Sequence, residues 1–181
     1  MAVRAQMTLA EFDELVRQPE NADKRLEFIG GEVVEVVTNN YASKIAARLL
    51  IEIGIFLKGK DLGDVTGADG GYRVSGERYI PDVAFISRRK QPTPSHETYN
   101  PNPPDLAVEV VSPTDLPRDI TDKVANYLAA GCLVWVIYPE KRQAKVYEPG
   151  QPVQTIAEDG ALDGGNVLPG LRLALKEIFS D

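Results

Sequence analysis

Three features of the sequence predict an α/β fold. Residues 104–138 (PPDLAVEVVSPTDLPRDITDKVANYLAAGCLVWVIY) read as strand, turn, helix, glycine stop and strand. A unit of that order and length suits a right-handed crossover between parallel strands. Residues 41–57 (YASKIAARLLIEIGIFL) carry helical period, with Ile45, Leu49, Ile53 and Phe56 on one side, and are long enough to pack across a sheet. Short alternating runs between glycine-containing turns supply further strands.

The elements follow in order. Residues 8–17 form an amphipathic helix with Leu9, Phe12, Leu15 and Val16 on its apolar face. Thr8 is its N-cap, and Glu11 stands at capping-box spacing. Pro19 ends it. Residues 25–37 (RLEFIGGEVVEVV) read as a hairpin of strands 26–29 and 33–37, with Gly30-Gly31 as a two-residue turn that tolerates positive φ. Beyond the helix at 41–57 and a loop at 58–64 come strands 65–68 and 71–75, and then RYIPDVAFIS at 78–87. Val83–Ile86 is predicted as a central strand; Pro81 is tolerated at its entrance, where no ladder donor is needed. Residues 88–103 lack periodicity and read as a surface loop holding the single histidine, His96. After the central segment a turn at 140–142 leads into strand 144–148, a further strand is expected at 153–157, and Asp159-Gly160 marks a turn. Residues 171–179 fit helix or strand equally.

The central segment contains an anomaly. Residues 106–111 are apolar except for Glu109, and an acid in a buried strand must be paired, hydrated or metal-bound. The helix after it places Ile120, Val124, Tyr127 and Leu128 on one side, and Gly131 stops it. Lys123 lies in the early turns of that helix, from where it can lean toward Glu109.

The chain has 181 residues, 43% hydrophobic and 26% charged, which predicts a single domain (1–181) with a core of its own. Cys132 is the lone cysteine, so no internal disulfide can form, and it reads as a small core residue. No run approaches the length of a membrane span and no leader pattern opens the sequence, so a cytoplasmic protein without a membrane partner is expected. The net charge of −7 does not by itself suggest nucleic-acid binding, yet suits an acidic metal site offset by local basic patches. Arg88-Arg89-Lys90 and Lys141-Arg142 are such patches; the second reads as a solvated hairpin tip.

The chemistry is concentrated in two matching phrases, YIPDVAF at 79–85 and PDLAVEV at 104–110. Asp82 and Glu109 fall on different strands, and paired carboxylates from neighbouring strands make a hard oxygen site suited to Mg²⁺ or Mn²⁺. No Cys/His cluster offers a zinc site, no phosphate-binding glycine loop is present, and a lone cysteine and lone histidine make a Cys–His nucleophile pair a poor reading. Taken alone, Glu27 and Glu32 read as exposed hairpin carboxylates. Taken alone, Lys123 reads as a helix-surface lysine paired with Asp119 or Asp122.

The phrases LEFIGGEVVE, YIPDVAFIS, PPDLAVEVVSPTD and DKVANYLAAGCLVWVIYPEKRQAKVYE together resemble the Uma-two family of restriction-endonuclease-like proteins, within the PD-(D/E)XK nuclease superfamily. The likeness covers nearly the whole chain. It implies a restriction-endonuclease-like core, a mixed β-sheet flanked by helices, and a metal-dependent endonuclease acting on nucleic acid, with DNA the expected form. It makes Asp82 and Glu109 the acids that hold Mg²⁺ or Mn²⁺. The motif's lysine belongs two residues after the acid, where this sequence has Val111; Lys123 then becomes the migrated catalytic cation. Glu27 matches a recurrent acid of the N-terminal hairpin and is preferred over Glu32 as the group completing the site. Asp105 also follows a proline, but it lies roughly 13 Å along the strand from Glu109. Tyr127 either supports the site or packs. A homodimer is expected, with the hairpin and the C-terminal segment as contact surfaces. The rival reading is a catalytically inactive member kept as a binding or assembly module.

Overall fold

The computed structural model of the protein describes residues 6–180. Helix α1 spans Leu9–Arg17, and the hairpin strands β1 and β2 span Leu26–Ile29 and Glu32–Glu35. Then come α2 (Asn40–Leu57), β3 (Gly63–Gly67), β4 (Gly71–Val74), β5 (Glu77–Tyr79) and β6 (Val83–Ser87). Strand β7 (Tyr99–Asn100), β8 (Leu106–Val110), α3 (Pro117–Ala129), β9 (Leu133–Tyr138), β10 (Gln143–Tyr147) and β11 (Gln154–Ile156) follow. The chain ends with β12 (Ala161–Asp163), β13 (Arg172–Ala174) and α4 (Leu175–Ile178).

The strands form a six-stranded sheet in the order β11-β10-β9-β8-β6-β3, a five-stranded sheet in the order β2-β1-β5-β4-β7, and the small β12-β13 ladder. In the larger sheet β8 and β9 run parallel while β6 pairs antiparallel with β8. The sheet is therefore mixed, with α3 as the connection between its parallel strands. Alternation along β8 sends Leu106, Val108 and Val110 into the core shared with α2, and Ala107 into the core shared with α3. Glu109 shares the α3 side by the same two-residue period.

Local chemistry accounts for the boundaries. The capping box of α1 is formed: Thr8 Oγ1 accepts from the Glu11 N–H, and the Glu11 carboxylate accepts from the Thr8 N–H at 2.7 Å. Gly30 and Gly31 have φ of 58° and 83°, the left-handed pair that a tight hairpin needs. Helix α3 begins at Pro117, ahead of Ile120, the first residue of its apolar side. Proline is favoured at a helix's first position, where its missing N–H is no loss.

Three expectations need correction. The second hairpin strand is Glu32–Glu35, one residue earlier than 33–37 and ending before Val37, which is exposed. The region 88–103 is not all surface loop. Tyr99–Asn100 pairs parallel with β4, and the buried Tyr99 hydroxyl donates to the Leu26 carbonyl. Residues 171–179 turn out to be both strand and helix. Leu171, Leu175, Ile178 and Phe179 are buried in the core packed by α2, so these side chains are not available as a dimer surface. Lys123, by contrast, leans toward Glu109 as its place in the early turns of α3 allows, and is buried rather than on the helix surface. Among the described residues no helix is long and apolar enough to cross a membrane.

Candidate active site

The site is assembled from β6, β8, α3 and the hairpin. Val83 of β6 faces Val108 of β8 in an antiparallel register, so Asp82, one residue before β6, is brought beside Glu109. The Asp82 carboxylate is anchored by the Val110 N–H, which donates to Oδ2 at 2.7 Å. Lys123 and Tyr127 are four residues apart on α3 and so share one face. Both reach Glu109: Lys123 Nζ donates to Oε2 at 2.7 Å, and the Tyr127 hydroxyl donates to Oε1 at 2.9 Å. Glu27 arrives from the other sheet. Its Oε1 accepts from Lys123 Nζ at 2.9 Å and from the Ile80 N–H at 2.6 Å. Lys123 thus ties a strand of one sheet to a strand of the other.

Burial sets the electrostatics. Glu27, Glu109 and Lys123 are 4%, 4% and 5% exposed. With Asp82 they place three carboxyl groups around one ammonium. Burial pushes the Asp82 carboxyl up to about 6, against the pull of the Val110 N–H and Lys123. Burial likewise raises Glu109; Lys123 opposes the rise, and Glu27 and Asp82 add to it. Burial alone would lower Lys123, but Glu109 and Glu27 outweigh it and hold the ammonium above its usual range. The Tyr127 phenol is held well up by burial and by Glu109. If all three carboxyls ionise, the cluster carries excess negative charge that one lysine cannot neutralise.

These groups open onto a cavity of about 420 Å³, whose lining includes Glu27, Asp82, Glu109 and Lys123. Ser112, Asp115 and Asp119 add a polar rim from the turn and the first part of α3. Among the described residues no set of three or more His, Cys, Asp or Glu side chains is gathered tightly enough to hold an ion alone. Asp82 and Glu109 are the two carboxylates on this cavity from neighbouring strands that could offer oxygen donors. Mg²⁺ is commonly held by one or two carboxylates, with water and phosphate oxygens completing the octahedron. The hard oxygen donors and their surplus charge fit such an ion.

Each residue expected from sequence has a definite place. Asp82, Glu109, Lys123 and Glu27 line one cavity. Glu32 instead meets the Arg118 guanidinium at 2.7 Å, and Asp105 accepts from the Ser87 N–H at 2.7 Å and pairs with Lys90. His96 is exposed in its loop, and Arg88 is bound to Asp64 and Asp61. Sequence reasoning missed Ser112, Asp115 and Asp119. The turn signal Ser112-Pro113-Thr114-Asp115 was legible, and Asp115 does accept from the Ser112 N–H at 2.6 Å. Nothing local shows that this turn rims a cavity. The role of Tyr79, which receives the Asn126 amide at 2.7 Å and packs edge-on against Tyr127, was also invisible.

Comparison with known proteins agrees with this architecture. The solved structure described as a "putative nuclease belonging to DUF820" from Anabaena variabilis ATCC 29413 superposes with a TM-score of 0.83 at 20% identity, covering 96% of this chain and 97% of that one. At that identity the likeness establishes the fold. No functionally curated protein matches the sequence. The sequence profile of the Uma2 family, described as "Putative restriction endonuclease", matches residues 9–176, and over that extent the chain belongs to the Uma2 family.

Proposed function

We propose that the protein is a metal-dependent endonuclease that hydrolyses phosphodiester bonds in nucleic acid, DNA before RNA. Membership of the Uma2 family makes the chain nuclease-like. The observation that carries the finer reading is the buried Lys123 ammonium, 2.7 Å from Glu109 and 2.9 Å from Glu27, on the wall of the cavity that Asp82 also lines.

Asp82 and Glu109 would hold Mg²⁺ or Mn²⁺, which when bound supplies Lewis acidity toward a phosphate oxygen and a more acidic water. The chain's own residues do the rest. An ammonium has three N–H donors, and Lys123 gives two of them to Glu109 and Glu27. The third is available to a water or to a phosphate oxygen in the cavity. A fixed positive charge there opposes the charge that develops on the phosphate, an effect worth about 10²–10³ in rate. Glu27 and Tyr127 are positioning residues: one holds Lys123 from the hairpin, the other holds Glu109 in its rotamer.

The test is cleavage of single-stranded, duplex and branched DNA and of RNA, with Mg²⁺ and with Mn²⁺, by wild type and Asp82→Asn. Metal-dependent products that disappear in Asp82→Asn support the reading. Absence of cleavage by wild type under every metal leaves the fold as a binding or assembly module. We also propose a homodimer; a monomeric mass by light scattering at micromolar concentration removes it.

A further inference from the structure

The cavity holding Glu109 has a neighbour along α3. A second concavity of about 270 Å³ adjoins it, and Asp115 and Ile120 line both. Its apolar floor is Val111 and Val124, and Tyr138, Lys145 and Tyr147 rise from the sheet. The strand register ties the two concavities together. Glu109 faces Val136 across β8 and β9, and Val136 faces Lys145 across β9 and β10. Glu109, Val136 and Lys145 thus form one row on the α3 side of the sheet. At ordinary strand spacing the Lys145 backbone lies roughly 10 Å from that of Glu109. Tyr147 follows Lys145 by two and shares its face. The ammonium groups of Lys141 and Lys145 lie 5.6 and 5.8 Å from the centre of the Tyr138 ring. In a chain of net charge −7, two cations and two tyrosines are gathered here.

Half-exposed aromatic rings over an apolar floor, with lysines beside them, are the chemistry of base stacking and phosphate neutralisation. The concavity is smaller than most drug-sized pockets, a size suited to one base rather than to a peptide or a duplex. We propose, resting on the nuclease reading above, that it is a subsite for one unstacked nucleotide of the strand being cut. The base sits against Tyr138 and Tyr147, and Lys145 faces the adjoining phosphate. An intact duplex keeps its bases stacked inside, so the subsite selects single strands and locally opened ends.

The experiment is a fluorescence-anisotropy titration of a labelled oligothymidylate and of a labelled duplex, in EDTA so that no cleavage occurs, with cleavage measured in parallel. Wild type is expected to bind the single strand more tightly than the duplex. Tyr147→Leu keeps apolar bulk but removes the ring, and is expected to weaken single-strand binding about five- to 100-fold, with little change for duplex. Tyr147→Phe is expected to bind like wild type, which separates loss of stacking from loss of fold. Lys145→Ala is expected to flatten the salt dependence by about 0.7 in slope. Equal single-strand affinity in wild type and Tyr147→Leu overturns the subsite, even if wild type cleaves DNA normally. Tyr147-dependent binding without cleavage supports the subsite and overturns the nuclease reading. Neither binding nor cleavage overturns both.

Discussion

Helices α2 and α3 pack on opposite faces of the same six-stranded sheet, against alternate residues of the same strands. The buried residues of α2 are Ala42, Ile45, Ala46, Leu49, Ile53 and Leu57. Those of α3 are Asp119, Lys123, Val124 and Tyr127. One face is a hydrocarbon interior whose contribution follows from area removed from water. The other spends half of its buried positions on groups that must be paired or else cost several kcal/mol each. A single strand serves both: β8 gives Leu106, Val108 and Val110 to one side and Glu109 to the other. The comparison teaches that stability and chemistry are separated by strand alternation rather than by distance, so mutations a few ångströms apart should fall into different classes.

The largest effect is expected at Lys123. Lys123→Ala should lower cleavage by about 100-fold or more, as removal of one electrostatic stabiliser does. Its place near a helix start suggests that stability would be spared, but its burial predicts otherwise. The variant leaves Glu27 and Glu109 without their shared cation, a change that costs about 3–5 kcal/mol for buried pairs. Chemical denaturation of Lys123→Ala and Lys123→Met checks this, and an unchanged midpoint would remove the claim that the tie holds the sheets together. On the opposite face, Leu49→Ala should cost about 2–5 kcal/mol through the cavity it leaves. Mn²⁺ affinity of the folded fraction, measured by calorimetry, should stay at the wild-type value; a large loss would mean that the two faces are not independent.

The next effect concerns pH. In the metal-free protein Asp82 is raised from its usual 3.8 to about 6. A raised carboxyl means that the folded state binds the extra proton. Stability is therefore highest below about 4 with respect to this group and falls as pH rises through about 6. The gap is worth on the order of 3 kcal/mol. Melting curves of Asp82→Asn should lack this component, so the variant should gain on wild type between about pH 4 and 7. Parallel curves across that window would break the assignment. The smallest effect is at Tyr127. Tyr127→Phe removes one bond to Glu109 and keeps the ring against Tyr79, so a loss of about 1–2 kcal/mol is expected. If its cleavage rate falls more than its stability does, the hydroxyl positions Glu109; if only stability falls, it merely fills a donor.

The sequence by itself determined the strand–helix–strand unit, because hydrophobic period, Gly131 and the Ser-Pro turn are local signals whose meaning does not depend on distant residues. It determined the Gly30-Gly31 hairpin for the same reason. It also flagged Asp82 and Glu109, since an acid among apolar strand residues is anomalous wherever the strand ends up. Tertiary structure alone decided that Glu27, from a different sheet, shares Lys123 with Glu109. No periodicity within a four-residue strand can report a partner 96 positions away. It also decided between the two readings of Lys123, leaning toward Glu109 or lying on the helix surface, because the helix face that packs depends on the sheet beneath it. The same holds for Tyr99–Asn100, whose two-residue pairing carries too little pattern to read, and for residues 171–179, which become strand and then helix only because β12 and α2 supply their partners. Local chemistry writes the elements, while the balance of buried charge that makes a site exists only after they have packed.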